Sequence, residues 1–263
     1  MRKGYCDGPF GQLHFVDEGV GVPIVLIHQM VQSSLQFRPV QPLLAKQGLR
    51  TLAIDLPGYG MSMAPDHGPT MDEYASIVPS FLNYLGLKKA VICGHHTGAA
   101  VACAVSHRYP EVVSKMIIHG VPYYTAEQRA ARAKAGHGTK PIAADGSHFT
   151  GLWNMLRKAG DQQASDEITH LSTLLYFMAG ETEWHGHNAV YTYDIETAIG
   201  AITAPTLLIS NTGDMLNPSD RRLAAVRSDF AFLEIEGGTF QYVYDDAENW
   251  ARVVGEFALR RAL

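Results

Sequence analysis

No stretch of this sequence is apolar for long enough to cross a bilayer, so a membrane-spanning protein is not expected. The opening residues, Met1-Arg2-Lys3-Gly4-Tyr5-Cys6, lack the apolar core of a secretory signal. Cysteine is scarce: Cys6, Cys93 and Cys103 are an odd set without metal-ligand spacing. Two of them fall in a buried-looking strand and helix, which reads as reduced packing residues of a cytoplasmic protein. Basic blocks are missing too. With 21 Lys and Arg against 26 Asp and Glu the net charge is −5, which argues against a nucleic-acid partner. Internal repeats, low-complexity tracts and linkers are also absent. What remains is 263 residues, 46% of them hydrophobic, enough for one large α/β domain with an insertion or for two small domains. Twelve histidines are many for this length, and composition alone does not account for them.

The pattern along the chain is a sequence of strands and helices. Residues 4–17 read as a hairpin around Asp7-Gly8-Pro9-Phe10-Gly11. Residues 22–28 form a continuous apolar run, as expected of a strand buried on both faces. Leu35 to Gln47 has helical spacing (Phe37, Val40, Leu43, Leu44) and stops at Gly48. Residues 50–55 are the next buried strand, ending in the glycine-rich loop Leu56-Pro57-Gly58-Tyr59-Gly60-Met61-Ser62. Met71 to Leu85 is an amphipathic helix closed by Gly86. Strands at 90–93 and 113–119 follow, separated by a helix of small residues. Alternation of this kind implies right-handed crossovers and a mostly parallel sheet with ligands at the carboxyl ends of its strands. His28, Asp55, His96 and His119 all lie at such ends. From Tyr123 to Ile202 no strand is expected. Helices are expected over 124–136, 149–158 and 166–180, with a loop at 136–147. Strands resume at 204–210 and 230–235, and a last amphipathic helix runs from Ala247 to Leu259.

One stretch organises the rest. Ala90 to Cys93, an apolar run, meets Gly94-His95-His96-Thr97-Gly98 and then a small-residue helix, the strand–turn–helix context of a nucleophile elbow. The glycines at 94 and 98 permit the strained turn and let strand and helix approach closely. Where serine ordinarily stands in such an elbow, this chain has His96.

Taken together, these motifs resemble the α/β-hydrolase superfamily over nearly the whole chain. The resemblance is carried by Leu26-Ile27-His28, by Asp55 to Ser62, by Gly94 to Gly98, by Ala204 to Ile209 with Asp214 behind it, and by Gly237-Gly238-Thr239-Phe240. It implies an α/β fold: a mostly parallel central sheet flanked by helices, a core of 1–122 and 203–263, and a helical cap over 123–202. It also implies a catalytic Ser, Asp and His. Here the serine position holds His96, Asp214 is retained, and the late Gly-His-Phe position reads Gly238-Thr239-Phe240. The oxyanion loop is altered as well, with His28-Gln29 for His-Gly and Met30 at the usual amide donor. An ordinary Ser-His-Asp mechanism does not carry over.

At His96 a neutral imidazole can serve as general base or attack an acyl carbon, and the helix dipole disfavours its protonated form. The bland alternative is a site that lost its chemistry and kept its turn. Asp214 either receives a hydrogen bond from His96, directly or through water, or acts as a turn or capping residue. The amides of Met30 and Thr97 are expected to form an oxyanion hole. The substrate-binding candidates are His28, Gln29, His95, His119, Trp184, His187, Tyr191, Thr239 and Phe240. Plainer readings stand beside several of them. His95 packs beside the elbow, His28 braces the oxyanion loop, His119 is a satisfied core histidine, and Thr239 is a strand-end turn residue. His107 complements a helix C-terminus. Spacing puts His187 and Tyr191 on one helical face, where they close over a ring-bearing substrate or join cap to core. No metal site has convincing spacing.

The expectation is therefore an enzyme without the serine nucleophile and without a cofactor. It would act on a small apolar ester, lactone or β-dicarbonyl, by hydrolysis or by proton abstraction as a lyase does. The partner expected is a small-molecule substrate, with neither nucleic acid nor membrane. A ligand-binding protein on a hydrolase scaffold is the rival from another class. Cofactor-independent dioxygenation comes last, because the superfamily members that perform it depend on the late histidine that is Thr239 here.

Overall fold

The structure is a computed structural model that describes residues 1–135, 141–159 and 165–260. Its strands are β1 (Arg2–Gly8), β2 (Gly11–Glu18), β3 (Val22–Ile27), β4 (Leu49–Ile54), β5 (Ala90–His95), β6 (Val113–His119), β7 (Thr206–Asn211) and β8 (Ala231–Ile235). They form one sheet in the order β1-β2-β4-β3-β5-β6-β7-β8. The β1–β2 hairpin and the β2–β4 pair are antiparallel, and every other pairing is parallel. This is the α/β arrangement expected, with the site-bearing strands β3, β5 and β6 in the middle of the sheet.

Helices cover both faces: α1 (Gln41–Lys46), α2 (Met71–Tyr84) and α3 (Thr97–Arg108) come before the break in strands. Next come α4 (Ala126–Ala135), α5 (Ser147–Ala159), α6 (Asp166–Ala179), α7 (His185–Thr192) and α8 (Ile195–Gly200). The chain ends with α9 (Asn217–Val226), α10 (Tyr242–Asp245) and α11 (Ala247–Leu259). Strand periodicity decides what packs where. Val25, Ile27, Leu52, Ile54, Ile92 and Ile118 face α2 and α3, while Ile24, Leu26, Ala53, Val91 and Ile117 face Phe37, Leu44, Trp250 and Val254. The α2 helix starts at a capping box in which Thr70 and Glu73 each satisfy the other's backbone amide. It stops where Gly86 takes a φ of +67°.

One expected helix is broken. Between Leu35 and Gln47 the chain makes a 3₁₀ turn, Ser34–Phe37, and only then the short α1. Pro39 has no N–H to continue a helical ladder, so Arg38 and Val40 bond instead to the carbonyls of Leu35 and Phe37, at 3.1 Å each. The expected apolar face survives the break, because Phe37, Val40 and Leu44 are fully buried.

Among the described residues there is no strand between β6 and β7, only α4 to α8 and connecting turns. Residues 136–140 of the expected loop 136–147 lie outside the described residues, as does the Gly136 end of the first expected helix. This helical segment is fastened to loops at the carboxyl ends of the strands. Tyr59 Oη donates to the Thr182 carbonyl at 2.9 Å and accepts from the Gly186 amide at 3.0 Å, and Gln32 Nε2 donates to Ser172 Oγ at 2.9 Å. The glycine-rich loop is held from below by Asp55. Its carboxylate takes the Ser34 and Met61 amides and His14 Nδ1, at 2.5, 2.8 and 2.8 Å. The three cysteines are free and buried, and no described helix is long and apolar enough to cross a membrane.

Candidate active site

The elbow has the backbone its glycines predict. A side chain at Gly94 would collide with the Gly98 carbonyl, and one at Gly98 with the Ile27 and His28 carbonyls. Two glycines therefore let α3 press on β5 and β3. The turn residue His96 sits at φ 50°, ψ −115°, the one non-glycine with positive φ among the described residues. A strained residue of this kind projects its side chain clear of the sheet.

The imidazole meets Asp214 directly: His96 Nε2 lies 2.7 Å from Asp214 Oδ2. Asp214 also accepts the Leu216 amide at 2.8 Å, so both readings of this residue hold at once. Burial pushes its carboxyl up. The neighbouring His96 imidazole and the hydrogen bonds from His96 and the Leu216 amide outweigh that and hold it below the usual carboxylate value. An ionised carboxylate can only accept, so Nε2 carries the proton and Nδ1 of the neutral ring keeps its lone pair. Nδ1 has no hydrogen-bond partner among the described residues, and the side chain keeps 14% of its exposure. Space for the ring comes from Gly120 (φ +64°), where a Cβ would sit 2.5 Å from His96 Cδ2 and 2.7 Å from Nε2.

A cavity of about 100 Å³ opens beside His96, lined by Thr97, Tyr124, Arg132, His187, Tyr191 and Leu216 among others. His187 and Tyr191 thus come together on one face of α7 as their spacing indicated, their rings 6.4 Å apart. Trp184 stacks on His187 at 4.9 Å without lining the cavity. Thr97, as the first residue of α3, has an amide without an intrahelical acceptor. Met30 does not line the cavity; its side chain lies against Gly186.

Three of the histidines offered as substrate contacts are withdrawn into the core, each fully buried. The Leu56 amide donates to His28 Nε2 at 2.9 Å, so Nδ1 donates to the Gln29 carbonyl at 2.8 Å, and no nitrogen is left for a ligand. The Trp250 indole N–H can only donate, so His119 accepts it at Nδ1 (3.2 Å) and donates from Nε2 to Asn211 Oδ1 (2.7 Å). His95 accepts from Gln36 Nε2 at 2.6 Å and leaves Nε2 buried without a partner. Register explains the stack these rings make, because His95 is paired with His119, and their centroids are 4.5 Å apart. Burial lowers all three pKa values, that of His119 to about 4.

The late loop is likewise architectural. Thr239 Oγ1 accepts the Gln241 amide at 3.3 Å within its own turn, and the Phe240 carbonyl accepts Gln29 Nε2 at 3.1 Å. Gln29 also donates its amide to Gln36 Oε1, so its role is to tie the loop after β3 in place. The Phe240 ring lies 6.4 Å from that of His96 but outside the cavity lining. His107 falls in the last turn of α3. Among the described residues no group of three His, Cys, Asp or Glu side chains comes within reach of one metal ion. Tyr124, Arg132, Met215 and Leu216 line the cavity and carried no signal in the sequence, since each comes from a loop or helix remote from the elbow.

A family model described as alpha/beta hydrolase fold matches residues 22–255, and the chain belongs to that family. It is 38% identical over 120 residues to the bifunctional epoxide hydrolase 2 of Sus scrofa, a match covering 44% of this chain and 21% of that protein. It is 30% identical over 134 residues to haloalkane dehalogenase 2 of Mycobacterium bovis, covering 51% and 46%. The chain thus spans less than half the length of these curated relatives. A hydrolase from Pseudomonas aeruginosa PA01 superimposes with a TM-score of 0.81 at 17% identity, covering 98% and 99% of the two chains. That likeness is one of fold.

Proposed function

We propose that this chain is a hydrolase of small carbonyl compounds, esters or lactones, in which His96 is the general base and no side-chain nucleophile is used. The observation that carries the reading is the 2.7 Å contact of His96 Nε2 with a buried, ionised Asp214, which leaves Nδ1 as the basic atom of a ring that borders the cavity. In the first step Nδ1 takes a proton from water as the water oxygen bonds to the carbonyl carbon. The carbonyl π electrons move to oxygen, and the resulting oxyanion is held by the amide of Thr97. Asp214 stabilises the imidazolium that forms. Collapse re-forms the carbonyl and breaks the bond to the leaving oxygen, which takes the proton back from Nδ1. Acid and alcohol leave, and the dyad returns to its starting state. The helical segment between β6 and β7 acts as the cap, with His187 and Tyr191 over the substrate. The relatives, an epoxide hydrolase and a haloalkane dehalogenase, favour hydrolysis over a lyase reaction on the same dyad.

The test is turnover of a panel of short aryl esters, lactones and β-dicarbonyls by wild type and His96→Ala. Loss of about 10²-fold or more in the variant is the expected result, as removal of a general base should give. Equal rates would remove His96 from the chemistry. Tight binding without turnover by either protein would favour a ligand-binding role instead.

A further inference from the structure

We propose that the cavity beside His96 is built for a substrate that carries a carboxylate as well as its carbonyl group, and that Arg132 on α4 is the residue that holds it. The inference rests on the reading that chemistry takes place in this cavity, and it specifies the class of compound that enters.

The lining is one-sided in charge. Its described residues include a guanidinium, Arg132, and two imidazoles, His96 and His187, but neither Asp nor Glu. The carboxylate nearest in the network, Asp214, is engaged by His96 and the Leu216 amide. Arg132 has no ion pair among the described residues; its partner is the face of Tyr124, with the guanidinium carbon 4.3 Å from the ring centroid. The Arg132 N–H groups make no hydrogen bond among the described residues, and a guanidinium's planar fork of donors suits a carboxylate. Tyr124 is itself held by its backbone: Arg129 donates to the Tyr124 carbonyl at 2.9 Å, and Arg222 to the Tyr123 carbonyl at 2.8 Å. The platform under Arg132 is thus fixed before any ligand arrives.

An uncharged ester would leave this guanidinium without an anion at the cavity rim. A compound with a carboxylate at one end and a carbonyl at the other would match both the cation and the Thr97 amide. At about 100 Å³ the cavity limits it to a short chain.

The experiment compares 4-oxopentanoate with its isosteric neutral amide, 4-oxopentanamide, by calorimetry on wild type, Arg132→Gln and Arg132→Lys. Wild type should bind the carboxylate about tenfold or more tightly than the amide. That preference should weaken with salt, fall to about one in Arg132→Gln, and be partly kept by Arg132→Lys. Arg132 is exposed on its helix, so its replacement leaves the core intact. Equal or undetectable binding of both compounds by wild type overturns the proposal, and so does an unchanged preference in Arg132→Gln. Because binding is read without turnover, the two readings fail separately. An inactive His96→Ala beside an unaltered carboxylate preference in Arg132→Gln keeps the base and removes the subsite. A fully active His96→Ala removes the base whatever the preference.

Discussion

The elbow and the late loop are both glycine-bearing turns at the carboxyl ends of strands. They do different things. At the elbow the backbone still throws its central side chain out, and that side chain bonds Asp214 and borders a cavity. At the late loop Thr239 turns inward on the Gln241 amide, and the loop serves to anchor Gln29. The difference teaches that the backbone of a turn decides what its side chain can reach. A side chain on the elbow gains exposure and an acid partner, whereas Thr239 on the late loop serves only its turn.

Four outcomes would sharpen or break this contrast. The largest belongs to Asp214→Asn, which removes the charge that fixes the imidazole and should lower kcat about 10²-fold while leaving the cavity in place. A loss of a few-fold only would show that the elbow works without its partner. Gly120→Ala comes next. Its methyl would occupy space now taken by the His96 ring, so activity should fall about tenfold, with about 1 kcal/mol of stability lost to the left-handed backbone. Unchanged kinetics would mean that the ring has another seat.

The third outcome concerns the foundation of the elbow rather than its tip. His28, His95 and His119 are held neutral by burial, so between pH 6.5 and about 4 the unfolded chain takes up protons that the folded chain refuses. Stability should therefore drain as pH falls through that window, on the order of 3 kcal/mol for His119 alone. Thermal melts from pH 7 to 4.5 should show a steep drop in Tm; a flat profile would contradict the buried stack. The smallest effect is expected at Thr239→Ala, within about threefold of wild-type kcat/KM, since its hydroxyl caps a turn with one weak bond. A large loss there would restore the late loop to the chemistry.

Much of the fold was legible because it is written in local patterns. The continuous apolar runs gave β3, β4 and β7, and the Gly94–Gly98 spacing gave a turn that packing then required. The helix expected from Leu35 failed because apolar spacing was weighed without Pro39, which ends the ladder while sparing the buried face. At the site, His96 was legible from the glycine frame of the elbow at a strand end, and Asp214 from the family resemblance. His28, His95 and His119 sit at the same ends, but their fate depends on Leu56, Gln36 and Trp250, partners distant in sequence. Arg132 was invisible for a like reason: only the packing of α4 near α7 brings it to the elbow.

The most direct test is the tautomer of His96, read by ¹⁵N NMR of the neutral ring at alkaline pH. The account predicts a protonated Nε2, directed at Asp214, and a pyridine-type Nδ1 left free to act as base. A proton on Nδ1 would contradict it, because that nitrogen would then have no lone pair to offer as base.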